Sequence, residues 1–219
     1  MLRRVFITSV THHPDGGLLL DFCRAALSAG KNLVLQAHVE LCSACRRKVD
    51  VAFALDEPEA VETQYAAVSE DALDAALQRV DDLEASPKQQ MRAFLRGLDL
   101  PDAVDRDRIG ARRHPAPGVW IAPVALNDTA RVAKTYLIHV RAGMTMPRHT
   151  HRGQEMTQVL SGSLKDGGEC CGPGDLIVHD ASNEHSPAAV TDCLCLIAAD
   201  APVVMTSLIG RLVQPFAGI

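Results

Sequence analysis

Apolar residues fall at two different spacings along the chain, and the change comes near its middle. From about residue 14 to 99 they recur every three to four positions, the period of an amphipathic helix. Leu19, Phe22, Cys23 and Ala26 form one stripe, with Gly30 expected just past its end as a closing glycine. Leu33, Val34, Ala37, Leu41 and Ala44 form a second. Leu73, Ala76, Leu77, Val80 and Leu83 form a third, opened by Ser69 with acids at 70 and 71. Ser86 and Pro87 read as the cap and first residue of a fourth, which carries Met91, Phe94, Leu95 and Leu98.

Between 100 and 118 the pattern lapses into charges of alternating sign among prolines, which reads as a solvated linker. After Gly118 the spacing shortens. Segments 119–126, 132–140, 156–164, 176–178, 193–198 and 203–208 read as strands, with Gly, Pro, Asn and Asp between them roughly every ten residues. The expected fold class is multidomain α + β: a small N-terminal helical bundle at 11–99, a linker at 100–118, and a β-sandwich or barrel at 119–219.

Composition narrows the function. The chain has 219 residues, 47% of them hydrophobic and 22% charged, which is enough apolar material for a buried core. A net charge of -5 and a 4% aromatic content argue against direct nucleic-acid binding. The apolar stretch near the N-terminus is too short for a signal sequence. The longest apolar run, Cys193–Ala199, falls far below the roughly twenty residues of a membrane span, so a cytoplasmic, membrane-free protein is expected. The distinctive feature is seven Cys beside nine His. In a reducing compartment an odd cysteine count favours metal over a disulfide framework.

Two spacings give that metal a place. His38, Cys42 and Cys45 stand at i, i+4 and i+7, so on one continuous helix they share a face. They offer three of the four ligands that tetrahedral Zn²⁺ takes. His13 is the candidate fourth ligand and His12 the runner-up. In the β half, His149 and His151 share a strand face, Glu155 returns to the same side, and His185 comes from a later strand. Imidazoles with one carboxylate suit a divalent ion, Zn²⁺ first, with Fe²⁺, Mn²⁺ or Ni²⁺ as alternatives. Of the other cysteines, Cys23, Cys193 and Cys195 read as core residues. Cys170 and Cys171, in a glycine-rich turn, read as accessible, with a redox role as the alternative. His114, His139 and His179 read as ordinary surface or strand residues.

Gly143-x5-His149-x-His151-x3-Glu155-x6-Gly162 resembles the first cupin motif in full. The second is partly matched: Gly174 and His185 are in place, while Asp180, Ser182 and Ala189 stand at its Pro, Gly and Asn positions. The resemblance implies a double-stranded β-helix, a jelly-roll barrel, with His149, His151, Glu155 and His185 as metal ligands. His12-His13-Pro14-Asp15 followed by the segment from His38 to Arg46 resembles the zinc-binding anti-sigma domain. Both together, with Cys193-Leu194-Cys195-Leu196 near the end, resemble the ChrR family of anti-sigma factors. That resemblance implies structural zinc on His13, His38, Cys42 and Cys45, and an extracytoplasmic-function sigma factor as partner. It further implies a cupin that senses or transmits singlet-oxygen or organic-peroxide stress. Self-association through the cupin is left open, and a metal-dependent cupin dioxygenase, isomerase or hydrolase with an accessory helical domain is the alternative.

Overall fold

The computed structural model describes residues 10–55, 98, 100–126 and 133–206. Three helices come first: α1 (Gly16–Cys23), α2 (Ala29–Leu41) and α3 (Ser43–Leu55). Asp15 caps α1 by accepting the Leu18 N–H at 2.8 Å. The expected third and fourth helices lie outside the described residues.

The first helix ends earlier than its apolar stripe. Arg24 is its C-cap, and Ala25 turns into the left-handed region at φ 52°. Ala26 N–H then reaches the Asp21 carbonyl and Ala25 N–H the Phe22 carbonyl, which is a Schellman closure with alanine where glycine is usual. Gly30, expected as a closing glycine, is instead the second residue of α2. There it packs so near Thr135 and Ala198 that a Cβ would collide with the Thr135 hydroxyl.

The β half begins with β1 (Arg113–Ala116), β2 (Val119–Pro123) and β3 (Lys134–Val140). It continues through β4 (His149–Thr150), β5 (Glu155–Ser161), β6 (Leu164–Asp166), β7 (Glu169–Cys171) and β8 (Leu176–His179). The last strands are β9 (Ala188–Ala189), β10 (Cys193–Ala199) and β11 (Val204–Met205). A six-stranded antiparallel sheet runs β1-β2-β3-β10-β5-β8, faced by a three-stranded sheet β7-β6-β9 and the pair β11-β4. The single strand expected over 156–164 is broken between β5 and β6. Gly162 turns there at φ 73°, with its Cα side pressed on the Asp192 carbonyl.

The expected linker is not wholly solvated. Leu100, Val104 and Ile109 are buried, and Arg113–Ala116 joins the sheet edge, while the charged side chains between them face outward. The alternating charges hid one apolar residue every four or five positions.

Strand β10 explains the longest apolar run. All seven of its residues are buried because the sheet is covered on both faces. Cys193, Cys195 and Ile197 face the barrel interior with Tyr136 and Ile138; Leu194, Leu196 and Ala198 face Leu33, Val34, Leu35 and Ala37 of α2. Burying Leu33, Val34 and Leu35 against the sheet contributes on the order of 1.5–3 kcal/mol each. The helices are therefore docked on the barrel, with polar fastenings at the rim: Lys31 to Asp200 at 2.8 Å, and Glu40 accepting the Asp102 and Ala103 N–H groups. No described helix is long and apolar enough to cross a membrane.

Candidate metal centres

The chain bends where the first cluster forms. Helix α2 stops at Leu41, and Cys42 adopts an extended conformation as its C-cap before α3 starts at Ser43. His38, Cys42 and Cys45 thus sit around a helix–helix corner, not on one continuous helix. The corner suits a thiolate: Cys45 N–H, in the first turn of α3, donates to Cys42 Sγ at 3.4 Å.

His13 enters from the segment before α1. Its Nδ1 lies 3.4 Å from Cys42 Sγ and 3.5 Å from Cys45 Sγ. With Zn–S near 2.3 Å and Zn–N near 2.0–2.1 Å, the S···N edge of a tetrahedron is about 3.6 Å. The ligand atoms of His13, His38, Cys42 and Cys45 all lie within 4.8 Å of one another. His38 is fully buried, and its Nε2 has no hydrogen-bond partner. Its Nδ1 lies 3.0 Å from the Gly174 carbonyl oxygen and 3.1 Å from Gln158 Oε1, so it carries the proton and Nε2 keeps its lone pair. Burial holds this imidazole neutral, lowering its pKa to about 4. Burial, and then Cys42 beside it, push the Cys45 thiol up to about 12, so this sulfur stays protonated unless a cation lies beside it. These groups fit a metal ion that draws off the thiol protons.

His12 does not join this cluster. Its ring points the other way, Nε2 3.0 Å from Glu169 Oε2 and Nδ1 3.4 Å from Asp175. Asp175 is a clamp between the two halves: its carboxylate accepts the N–H groups of Thr11 (2.6 Å), His12 (2.9 Å) and Gly172 (2.8 Å).

The second cluster lies inside the barrel. His149 and His151 are at and just after β4, Glu155 opens β5, and His185 pairs with His149 across an isolated bridge. Their ligand atoms also fall within 4.8 Å of one another, and His151 Nε2 and His185 Nε2 are 3.0 Å apart. The outer nitrogens are anchored. His149 Nδ1 donates to the Pro147 carbonyl and His185 Nδ1 to Asp166, both at 2.8 Å, leaving each Nε2 to face inward. Burial raises the Glu155 carboxyl to about 7 and lowers His151 to about 4. The set is three imidazoles with one carboxyl that a cation would ionise.

Beside it is a cavity enclosing about 710 Å³, part of it open to solvent, walled by Tyr136, Ile138, Ile177, Ile197, Val203 and Met205. Apart from the cluster, its charged group is Asp166, already engaged by His185. Cys193 and Cys195 reach the same cavity, their sulfurs 3.6 Å apart; none of the seven cysteines forms a disulfide. Cys170 is exposed as expected, whereas Cys171 is buried, because alternation along β7 turns its side chain into the barrel core.

Some site residues gave little sign in the sequence. His179, read as an ordinary strand residue, stacks on His151 and lies 3.4 Å from Asp166; its six-residue spacing from His185 was the available hint. Asp166 and Gln158 are brought in by the tertiary fold alone. His139 is an ordinary strand residue that stacks on Trp120.

Comparison with known proteins places this geometry. Residues 103–203 match the ChrR cupin-like domain family. Over 211 residues the chain is 33% identical to the anti-sigma-E factor ChrR of Cereibacter sphaeroides, covering 95% of this chain and 98% of that protein. The chain belongs to the ChrR family of anti-sigma factors. A crystal structure of Rhodobacter sphaeroides SigE in complex with the anti-sigma ChrR superposes with a TM-score of 0.63 at 29% identity. It covers 87% of this chain and 99% of the matched one. ChrR similarity therefore spans both the helical corner and the barrel.

Proposed function

We propose that this ChrR-family chain is an anti-sigma factor that sequesters an extracytoplasmic-function sigma factor in the bacterial cytoplasm. In this reading residues 11–99 form the gripping domain, stapled by Zn²⁺ on His13, His38, Cys42 and Cys45. Residues 100–118 connect it to the cupin domain, 119–219, where His149, His151, Glu155 and His185 hold a divalent ion, Zn²⁺ first among the candidates. The cupin senses or transmits an oxidative signal, singlet oxygen or organic peroxide.

The observation that carries the proposal is likeness to ChrR along 95% of the chain, which takes in both clusters. The cavity supports a regulator over a metal-dependent enzyme. Its walls are largely apolar, and a substrate would meet few polar groups beyond the three candidate ligands that line it, His149, Glu155 and His185. An apolar chamber beside a metal and two cysteine sulfurs suits a small, weakly polar oxidant. Co-expression with the extracytoplasmic-function sigma factors of the same genome tests the reading. One of them should co-purify with the full chain and be lost with His38→Ala; recovery of no sigma factor with the wild-type chain refutes it. Metal analysis separates the two centres, with two metals per chain expected and one lost in each of His38→Ala and His149→Ala.

A further inference from the structure

Strand β5 has two faces, and each serves a different cluster. Glu155 and Thr157 line the barrel cavity, while Met156 belongs to the core under α2 and Gln158 meets His38. Gln158 is fully buried. Its amide nitrogen donates to the Val159 carbonyl at 3.2 Å, which turns its oxygen toward His38 Nδ1 at 3.1 Å. The Gly174 carbonyl, from the turn before β8, approaches the same nitrogen at 3.0 Å. A single N–H is thus held between two acceptors, and both come from the β half. They set the ring's rotation, and with it the direction of the lone pair on Nε2.

We propose that Gln158 is a positioning residue for the zinc ligand His38, so that β5 couples the helical metal centre to the cupin centre. This rests on the reading of both clusters as metal sites. Glu155 and Gln158 are three residues apart, roughly 10 Å along the strand and on opposite faces. Both lie on an interior strand of the sheet, with β5 paired to β10 on one side and β8 on the other. A strand so held moves as a unit. A change at the Glu155 carboxylate when its ion binds or leaves reaches the imidazole of His38 through Gln158. Partners that orient a metal-bound histidine commonly alter metal affinity 10–100-fold when removed.

Cobalt(II) titration of the full chain tests this. Thiolate-to-cobalt absorption, measured in a Cys171→Ser background that removes the thiol of the His12–Cys171–Asp175 group, reports the Cys42–Cys45 centre, since no cysteine belongs to the cupin cluster. Gln158→Leu and Gln158→Met, which fill the space without an acceptor, should weaken cobalt and zinc binding there about ten-fold, the Gly174 carbonyl remaining. Gln158→Glu, which keeps the acceptor, should stay within about three-fold of wild type. Glu155→Gln should weaken the same centre in the wild-type background and have no further effect beside Gln158→Leu. Wild-type affinity and an unchanged band in both folded apolar variants overturn the positioning role. A Glu155→Gln effect that is absent, or equal in both backgrounds, overturns the coupling. Absence of any thiolate band in the wild-type chain refutes the zinc reading itself.

Discussion

Replacing the buried Asp175 should loosen the contact between the two halves of the molecule. The carboxylate, 4% exposed, accepts the N–H groups of Thr11, His12 and Gly172 at 2.6–2.9 Å. In Asp175→Ala these donors lose their acceptor. At about 1 kcal/mol for each hydrogen bond lost, the loss is about 3 kcal/mol. Asp175→Asn keeps the shape but points an N–H₂ at N–H donors, and about 2 kcal/mol is expected. The pH dependence distinguishes a charge effect from a packing effect. Burial works to raise the carboxyl's pKa, but the backbone donors, Gly172 foremost, outweigh it and hold the group below its ordinary value. A depressed folded pKa gives stability that is present above the unfolded value of about 3.9 and is lost as pH falls through the folded one. The gap between wild type and Asp175→Asn should therefore widen somewhat from pH 7 to 5, as His12 beside Asp175 takes up its proton, and close below about pH 4. Urea denaturation at several pH values measures it. A gap under 1 kcal/mol at neutral pH, or one that stays flat down to pH 3, refutes the reasoning.

Three other outcomes are expected. Ala25→Gly relieves a left-handed residue at the end of α1 and should stabilise by about 1 kcal/mol after the added unfolded-state entropy, visible as a higher Tm; no rise in Tm counts against the Schellman closure. Asp166→Ala removes the carboxylate that orients His185, so metal in the barrel should bind 10–100-fold more weakly while the thiolate–cobalt band of the helical centre is unchanged. Brief alkylation of the native chain, read by mass spectrometry, should mark Cys170 and spare Cys171, Cys193 and Cys195. Cys171 is both buried and, through that burial, pushed up to about 12.

Much of the candidate chemistry was legible because it is local. His149, His151 and Glu155 sit within seven residues, and a strand's two-residue period puts the histidines on one face before any tertiary contact forms. His38, Cys42 and Cys45 are equally close in sequence, and they meet even though the helix breaks at Cys42, because a corner and a continuous helix both keep i, i+3 and i+4 neighbours near each other. Periodicity misled where one backbone angle or one long-range surface decided the outcome. Nothing in the residues from Cys23 to Gly30 shows that Ala25 takes the left-handed turn. Alternating charges likewise concealed that Leu100, Val104 and Ile109 have a sheet to pack on.

The sequence by itself determined the local part of each candidate ligand set, His38, Cys42 and Cys45 in one and His149, His151 and Glu155 in the other, and the change from helical to strand spacing, since these are properties of residues a few positions apart. Only the tertiary structure decided which neighbour of Pro14 joins the thiols. His13 and His12 are adjacent and chemically identical, and the Asp175 carboxylate, 163 residues from His12, holds His12 in the opposite direction. The structure alone also decided that the fully buried nitrogens of His38 divide their work, one toward sulfur and one toward the barrel. Such partners are set by which surfaces share a core, and a hydrogen bond between positions 38 and 158 exists once α2 has buried its leucines on the sheet.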